Sequence, residues 1–314
     1  MVNSSQTWHS ATVSANGINI FYESIGSDDA PAIVLVAGLG CQLTMWPDAF
    51  CRELVDCGFR VIRFDNRDIG LSSEVNRHVR VSMPLAFMRA KIGLHIPSNY
   101  TMHEMADDLI GLMDALHLQR AHVAGISMGG MISQLAAAKH PQRFASLSLI
   151  MTSTNHPSLP NPDFSVLHKM FLRKPRDKSL DAFCDHIEGV FSAIGSPDYP
   201  TPAHELRAAA TASWNRSRRP AGVLRQTNAV VATGSIEKWT RSIRTPALVI
   251  HGAADPLLKP ACGKRVAKLI EGATLDIIPG MGHDLPAALC KPLARKIAMH
   301  CERNANGARG PVAA

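Results

Sequence analysis

Residues Ala121 to Ala138 read AHVAGISMGGMISQLAAA, and the hydrophobic period changes in the middle of them. His122-Val123-Ala124 reads as the end of a buried strand, whereas from Met128 onward Met131, Ile132, Leu135 and Ala136 recur at helical spacing. The chain must therefore turn sharply from strand to helix across Gly125-Ile126-Ser127-Met128-Gly129. In such a Gly-x-Ser-x-Gly turn the glycines make room on either side, and the serine stands at the tip in a strained backbone conformation with its hydroxyl at a helix N-terminus. The bare pattern arises by chance in roughly one chain in ten of this length. Its setting between an apolar strand and an apolar-periodic helix is what gives it weight, and a purely structural Gly-Ser turn is the alternative.

Outward from this turn the chain alternates strand and helix. Toward the N-terminus, Ala32 to Ala37 (AIVLVA) is a continuous apolar run, which predicts a strand buried on both faces of a parallel sheet. A helix from about Pro47 to Cys57, a strand Arg60 to Phe64 and an amphipathic helix Thr101 to Leu116 follow it. Before it, Asn16-Gly17 between β-rich runs predicts a two-residue hairpin turn. Toward the C-terminus, Ser146 to Met151 is a further strand, and the alternation then stops. Prolines at 157, 160 and 162 mark the exit, and from about Phe164 to Trp239 the pattern is helical. The alternation resumes with Ala247 to His251, a helix near Lys259 to Ile270, the strand Thr274 to Ile278 and a last helix from about Leu285 to Cys301. Repeated strand-helix units imply an α/β protein with a mostly parallel sheet covered by helices on both faces. The expected organisation is a core in two parts, 1–152 and 241–303, a helical cap inserted at 153–240, and a disordered tail at 304–314.

Composition excludes several classes. With 314 residues of which 46% are hydrophobic, the chain buries a sizeable core rather than remaining disordered. No apolar run approaches the roughly 20 residues of a membrane span, and the N-terminus has no basic and apolar leader, so a cytoplasmic protein is expected. The seven cysteines are scattered without CxxC pairs, which fits reduced thiols. The net charge of +7 gathers only at Arg173-Lys174-Pro175-Arg176 and Arg216 to Arg219, read as solvated basic faces. Aromatics are only 5% of residues and do not interleave with these runs, so no nucleic-acid partner is expected.

A serine hydroxyl needs a base to take its proton and an acid to hold that base. In open parallel sheets both should lie in loops just after later strands. Of the eight histidines after Ser127, only His283 follows the last strand in a glycine-rich loop, Pro279-Gly280-Met281-Gly282-His283. Asp255 follows the strand ending at His251, and the loop after Met151 has no competing acid. Each alone could be an ordinary loop residue, but here the three stand in consistent order.

The segments VLVAGLG, FDNRDIGLSS, YTMHEMADDLIGLMDAL, VAGISMGG, LVIHGAADPLL and IPGMGHDLP together resemble the α/β-hydrolase superfamily from roughly Val13 to Met299. They are most similar to its soluble microbial ester hydrolases of the aclacinomycin methyl esterase type. The resemblance implies an eight-stranded sheet and a cofactor-free, metal-free serine esterase acting on a small-molecule ester, with Ser127 as nucleophile, Asp255 as acid and His283 as base. The oxyanion hole is expected from the backbone N–H groups of Met128, next to the nucleophile, and, by resemblance, Leu39. The chain departs from the family at Ala37, where the common pattern has histidine. C–C bond hydrolysis of a dicarbonyl compound by the same residues is the enzymatic alternative, and a ligand receptor retaining them is the non-enzymatic one.

Two other motifs fall short. Gly38-Leu39-Gly40 lacks the third glycine of a dinucleotide loop, since position 43 is Leu43. His103-Glu104 lacks the second histidine of a zinc-protease helix, since position 107 is Asp107. Asp65, Asp108 and the Arg67-Asp68 pair are expected to be structural.

Overall fold

Asn16 and Gly17, both at positive φ, close the turn between strands β1 (His9–Ala15) and β2 (Ile18–Ile25). The computed structural model describes residues 7–75, 88–89, 94–172 and 177–304. Most of the Met83 to Met88 stretch, the basic run 173–176 and the tail from 305 lie outside them. Strands β3 (Ala32–Val36), β4 (Arg60–Phe64), β5 (Ala121–Ile126), β6 (Phe144–Ile150), β7 (Ala247–Gly252) and β8 (Thr274–Ile278) complete one eight-stranded sheet in the order β1-β2-β4-β3-β5-β6-β7-β8. The pairs β1–β2 and β2–β4 are antiparallel and the rest are parallel. β3, β5 and β6 are buried along their whole length, as strands covered on both faces must be. β8, at the sheet edge, exposes Thr274 and Leu275.

Helices α1 (Asp48–Asp56), α2 (Met102–Ala115) and α3 (Met128–Lys139) follow β3, β4 and β5. α2 begins in a capping box in which the Thr101 side chain accepts from His103 N–H while Glu104 reaches back to the Thr101 N–H. Its apolar face (Met102, Met105, Leu109, Leu112 and Met113) is fully buried on one side of the sheet, with α3 beside it. On the other side α1 packs with the last helix around Phe50, Leu54, Leu293 and Ile297.

Between β6 and β7 the described chain has helices only: α4 (Phe164–Leu167) continuing into a π turn, α5 (Leu180–Ile194), α6 (Ala203–Arg216), α7 (Pro220–Thr233) and α8 (Glu237–Thr240). After β7 come α9 (Pro260–Leu269) and α10 (Ala287–Arg303). The helical segment is fastened to the loop after β4. Arg216 pairs with Asp65 at 2.7 Å, and Arg225 makes two 2.8 Å contacts with Asp68, which also accepts from Tyr100 Oη at 2.6 Å. Asp65 and Asp68 are completely buried. Arg216 is thus not part of a solvated basic face, and Arg219 likewise donates to the Ser72 carbonyl. The sequence offered no means of pairing residues about 150 positions apart. Arg67 forks onto Asp108 at 2.5 and 2.6 Å. Glu104 serves the helix cap, and Asp107 pairs with Lys139.

Candidate active site

The turn from β5 to α3 is drawn tight by two close approaches. A Cβ on Gly125 would stand 2.5 Å from the Gly129 carbonyl oxygen, and one on Gly129 would stand 2.1 Å from the Val36 carbonyl oxygen. Neither position admits a larger residue, which is the physical content of the two glycines. Ser127 between them has φ 54° and ψ −120°, a conformation that costs a non-glycine residue of order 1–3 kcal/mol and is kept only by its surroundings. Those surroundings include Thr152, whose hydroxyl donates to the Ser127 carbonyl at 2.7 Å, and the Ile150 carbonyl, which accepts from Ser127 N–H at 3.0 Å.

The loops after β7 and β8 bring the other two residues to this serine. His283 Nε2 lies 3.0 Å from Ser127 Oγ, and Nδ1 lies 2.7 Å from Asp255 Oδ2. Asp255 Oδ1 accepts from the N–H groups of Leu257 and Leu258 at 2.9 and 2.8 Å, which fixes the carboxylate plane. With the Nδ1 proton directed at Asp255, Nε2 has only a lone pair to offer the serine hydroxyl. Burial alone would raise the Asp255 carboxyl, but the His283 and His251 rings beside it outweigh this and hold it well below the usual carboxylate range. The arrangement can accept a proton from Ser127 Oγ and keep the resulting imidazolium beside a fixed negative charge.

Asp276 and Asp284, the other carboxylates near His283 in sequence, are engaged elsewhere. Asp276 pairs with Lys296 on α10. Asp284 accepts from Ser196 Oγ at 2.5 Å, and burial pushes its carboxyl up. Ser196 Oγ also accepts from Gly282 N–H at 2.9 Å, and His283 N–H donates to the Ile194 carbonyl at 2.6 Å. The end of α5 therefore holds the histidine loop in place. His251 is another residue with no sequence signal. Its Nε2 lies 2.7 Å from the Leu258 carbonyl oxygen and 3.4 Å from Asp255 Oδ2.

The loop after β3 flanks the serine, and a Cβ on Gly38 would be 3.5 Å from Ser127 Cβ. This brings Leu39 next to the elbow, while Met128, the first residue of α3, carries one of the N–H groups that a helix start leaves without an intrahelical partner. Ala37, directly after β3, is held through its carbonyl by Asn66 Nδ2 at 3.0 Å.

Fold and geometry together define an α/β-hydrolase. The chain belongs to this family, whose model, described as alpha/beta hydrolase fold, matches residues 31–286, and it is a hydrolase of that family. Among curated relatives, rhodomycin D methylesterase of Streptomyces peucetius is 27% identical over 302 residues, covering 90% of this chain and 95% of that protein. A putative carbamate hydrolase of Caulobacter sp. (strain K31) is 28% identical over 261 residues, covering 82% and 85%. Among solved structures, the enol-lactonase of Burkholderia xenovorans LB400 superposes with a TM-score of 0.71 at 24% identity, covering 93% of this chain and all of that one. The meta-cleavage product hydrolase of Pseudomonas fluorescens IP01 superposes with a TM-score of 0.70 at 17% identity, covering 93% and 97%. Both structural likenesses speak to the fold. No helix among the described residues is long and apolar enough to cross a membrane.

Proposed function

We propose that the protein is a serine esterase that cleaves a small-molecule carboxylic ester through an acyl-serine. The observation that carries the reading is the continuous relay Asp255–His283–Ser127 on a strained elbow, in a chain similar to a methylesterase over nine-tenths of its length. Ser127 Oγ attacks the ester carbonyl carbon as its proton passes to His283 Nε2. The carbonyl oxygen, now an oxyanion, takes hydrogen bonds from the N–H groups of Met128 and Leu39. Collapse of the tetrahedral intermediate breaks the bond to the alcohol oxygen, which receives the proton from Nε2. Water then repeats the sequence on the acyl-serine and releases the acid. No step calls for a metal or cofactor. The helical segment 153–240 acts as the cap over this site, and the seven unpaired cysteines support a cytoplasmic setting.

Rapid quenching with a slowly turned-over activated ester tests the reading. The acyl mass is expected on the peptide containing Ser127, with a burst of leaving group. A C–C hydrolase must also protonate a carbon leaving group. A diketone panel with kcat/KM a hundredfold above every ester tried would therefore replace the esterase reading with that one.

A pH profile gives a further expectation. A protonated imidazole cannot accept from Ser127, so general-base chemistry requires kcat/KM to rise with pH on the acid side. Asp255, held well below the ordinary carboxylate range, stays ionised throughout and should add no second limb on the acid side. A slope of two protons in mildly acid solution would count against this assignment.

A further inference from the structure

We infer that Gln226, on α7 of the helical segment, is a positioning residue for the oxyanion loop, holding the Leu39 backbone in register with Ser127. The inference rests on the ester-hydrolase reading above. Gln226 is completely buried, and both ends of its amide are used: Oε1 accepts from Gly40 N–H at 2.8 Å, and Nε2 donates to the Arg67 carbonyl at 2.9 Å. A flipped amide would point its NH2 at the Gly40 N–H and its oxygen at a carbonyl, so the two partners fix one orientation.

The loop from Ala37 to Gly40 is thereby gripped at both ends. Asn66 holds the Ala37 carbonyl at one end and Gln226 holds the Gly40 N–H at the other, with Gly38 and Leu39 between them beside Ser127. The two grips share an anchor, because Gln226 donates to the residue that follows Asn66. α7 itself is tied down by Arg225, one residue before Gln226, on Asp68 and Glu74. Val223, three residues before Gln226 on the same helix, also packs on this loop, so close to Gly40 that an added Cβ would be 3.2 Å from Val223 Cγ1.

An oxyanion donor works only when it sits about 2.7–3.1 Å from where the charge develops, and losing one costs about 10²–10³ in rate. The Leu39 N–H is fixed by the orientation of the Gly38–Leu39 peptide, two bonds along the chain from the peptide Gln226 grips. The carbonyl of that peptide also accepts from Cys41 N–H at 3.3 Å, so this turn and the grip on Gly40 hold its orientation together, and releasing Gly40 loosens it. The groups supporting the oxyanion therefore come partly from the helical segment rather than from the sheet alone, and Gln226 supplies its support for this loop from 186 residues away.

The test compares Gln226→Met, which keeps the shape and removes both hydrogen bonds, with Gln226→Glu. A carboxyl buried there stays protonated and keeps both an acceptor and a donor. Activities on an activated ester are normalised to the amount of Ser127 that a fluorophosphonate finally titrates, so an unfolded fraction does not count. Gln226→Met is expected to lower kcat about 10- to 100-fold with KM within about threefold. Affinity for phenylboronic acid, whose tetrahedral adduct places an oxygen in the oxyanion hole, should fall by the same factor, and Gln226→Glu should restore most of both. A merely structural role would lower the titratable fraction and leave these ratios alone. The inference alone is overturned if wild type labels at Ser127 but the Met variant keeps kcat within twofold. It is equally overturned if kcat falls without loss of boronate affinity, or if the Glu variant is as slow as the Met variant. A wild type that neither labels nor turns over any ester overturns the esterase reading, and the inference with it.

Discussion

Ser127→Ala is expected to reduce hydrolysis of an activated ester by about 10⁶ in kcat, the magnitude that loss of the nucleophile produces in other serine hydrolases. The size of the effect follows from what remains. His283 would still face the substrate and the N–H donors would still be in place, but no covalent intermediate could form, leaving only attack by water. The fold should survive or gain, since the strained backbone at position 127 is set by Gly125, Gly129 and Thr152 rather than by the hydroxyl. Active-site titration with a fluorophosphonate, read by mass, should label the wild type at one residue and the variant not at all. Retention of more than about a tenth of wild-type turnover would remove Ser127 from the mechanism.

Asp255→Asn should cost about 10⁴ in kcat while leaving the shape of the site almost unchanged. An amide at 255 keeps its oxygen on the Leu257 and Leu258 N–H groups and turns its NH2 toward His283 Nδ1. Nδ1 then becomes the acceptor, the ring proton moves to Nε2, and the base faces the serine with the wrong tautomer. Asp284→Asn makes the contrast. Its amide oxygen still accepts from Ser196, and burial already disfavours a charge there, so kcat should stay within about threefold of wild type. Steady-state kinetics of the two variants side by side would transfer the acid's role to Asp284 if their order were reversed.

What could be read from the sequence and what could not divide along one line, the distance between partners. Ser127, Asp255 and His283 are far apart in sequence, yet each sits in a short local pattern after a strand, so the parallel strand order brings them together at the carboxyl ends of the strands. The amphipathic helix read from Thr101 and the turn at Asn16-Gly17 were legible for the same local reason. Gln226, Ser196 and His251 have no such pattern. Their significance lies in the single atom each one touches, and those atoms belong to loops whose approach depends on how the helices between β6 and β7 settle. Arg216 shows the same limit from the opposite side, since beside three other residues of a basic run nothing marks it as the partner of a buried carboxylate. The start of β6 at Phe144, two residues before the apolar run suggests, reflects a register shift against β5 at Ala121/His122.

β6 and β7 lie side by side although the whole helical segment separates them in sequence. Bringing two strand ends together across a flexible stretch costs an entropy that grows only with the logarithm of its length, about 0.6 kcal/mol for each doubling, so roughly a hundred residues can be placed between these neighbours almost as readily as fifty. Sheet stability therefore sets almost no limit on how long that stretch is. The limit comes from the few contacts it must make on its return, at residues 65–68, at Gly40 and at the histidine loop. Chain length in that stretch can be gained or lost wherever those landing points are spared, and a three-residue deletion near 216, 225 or 196 should do more harm than a much longer one between them.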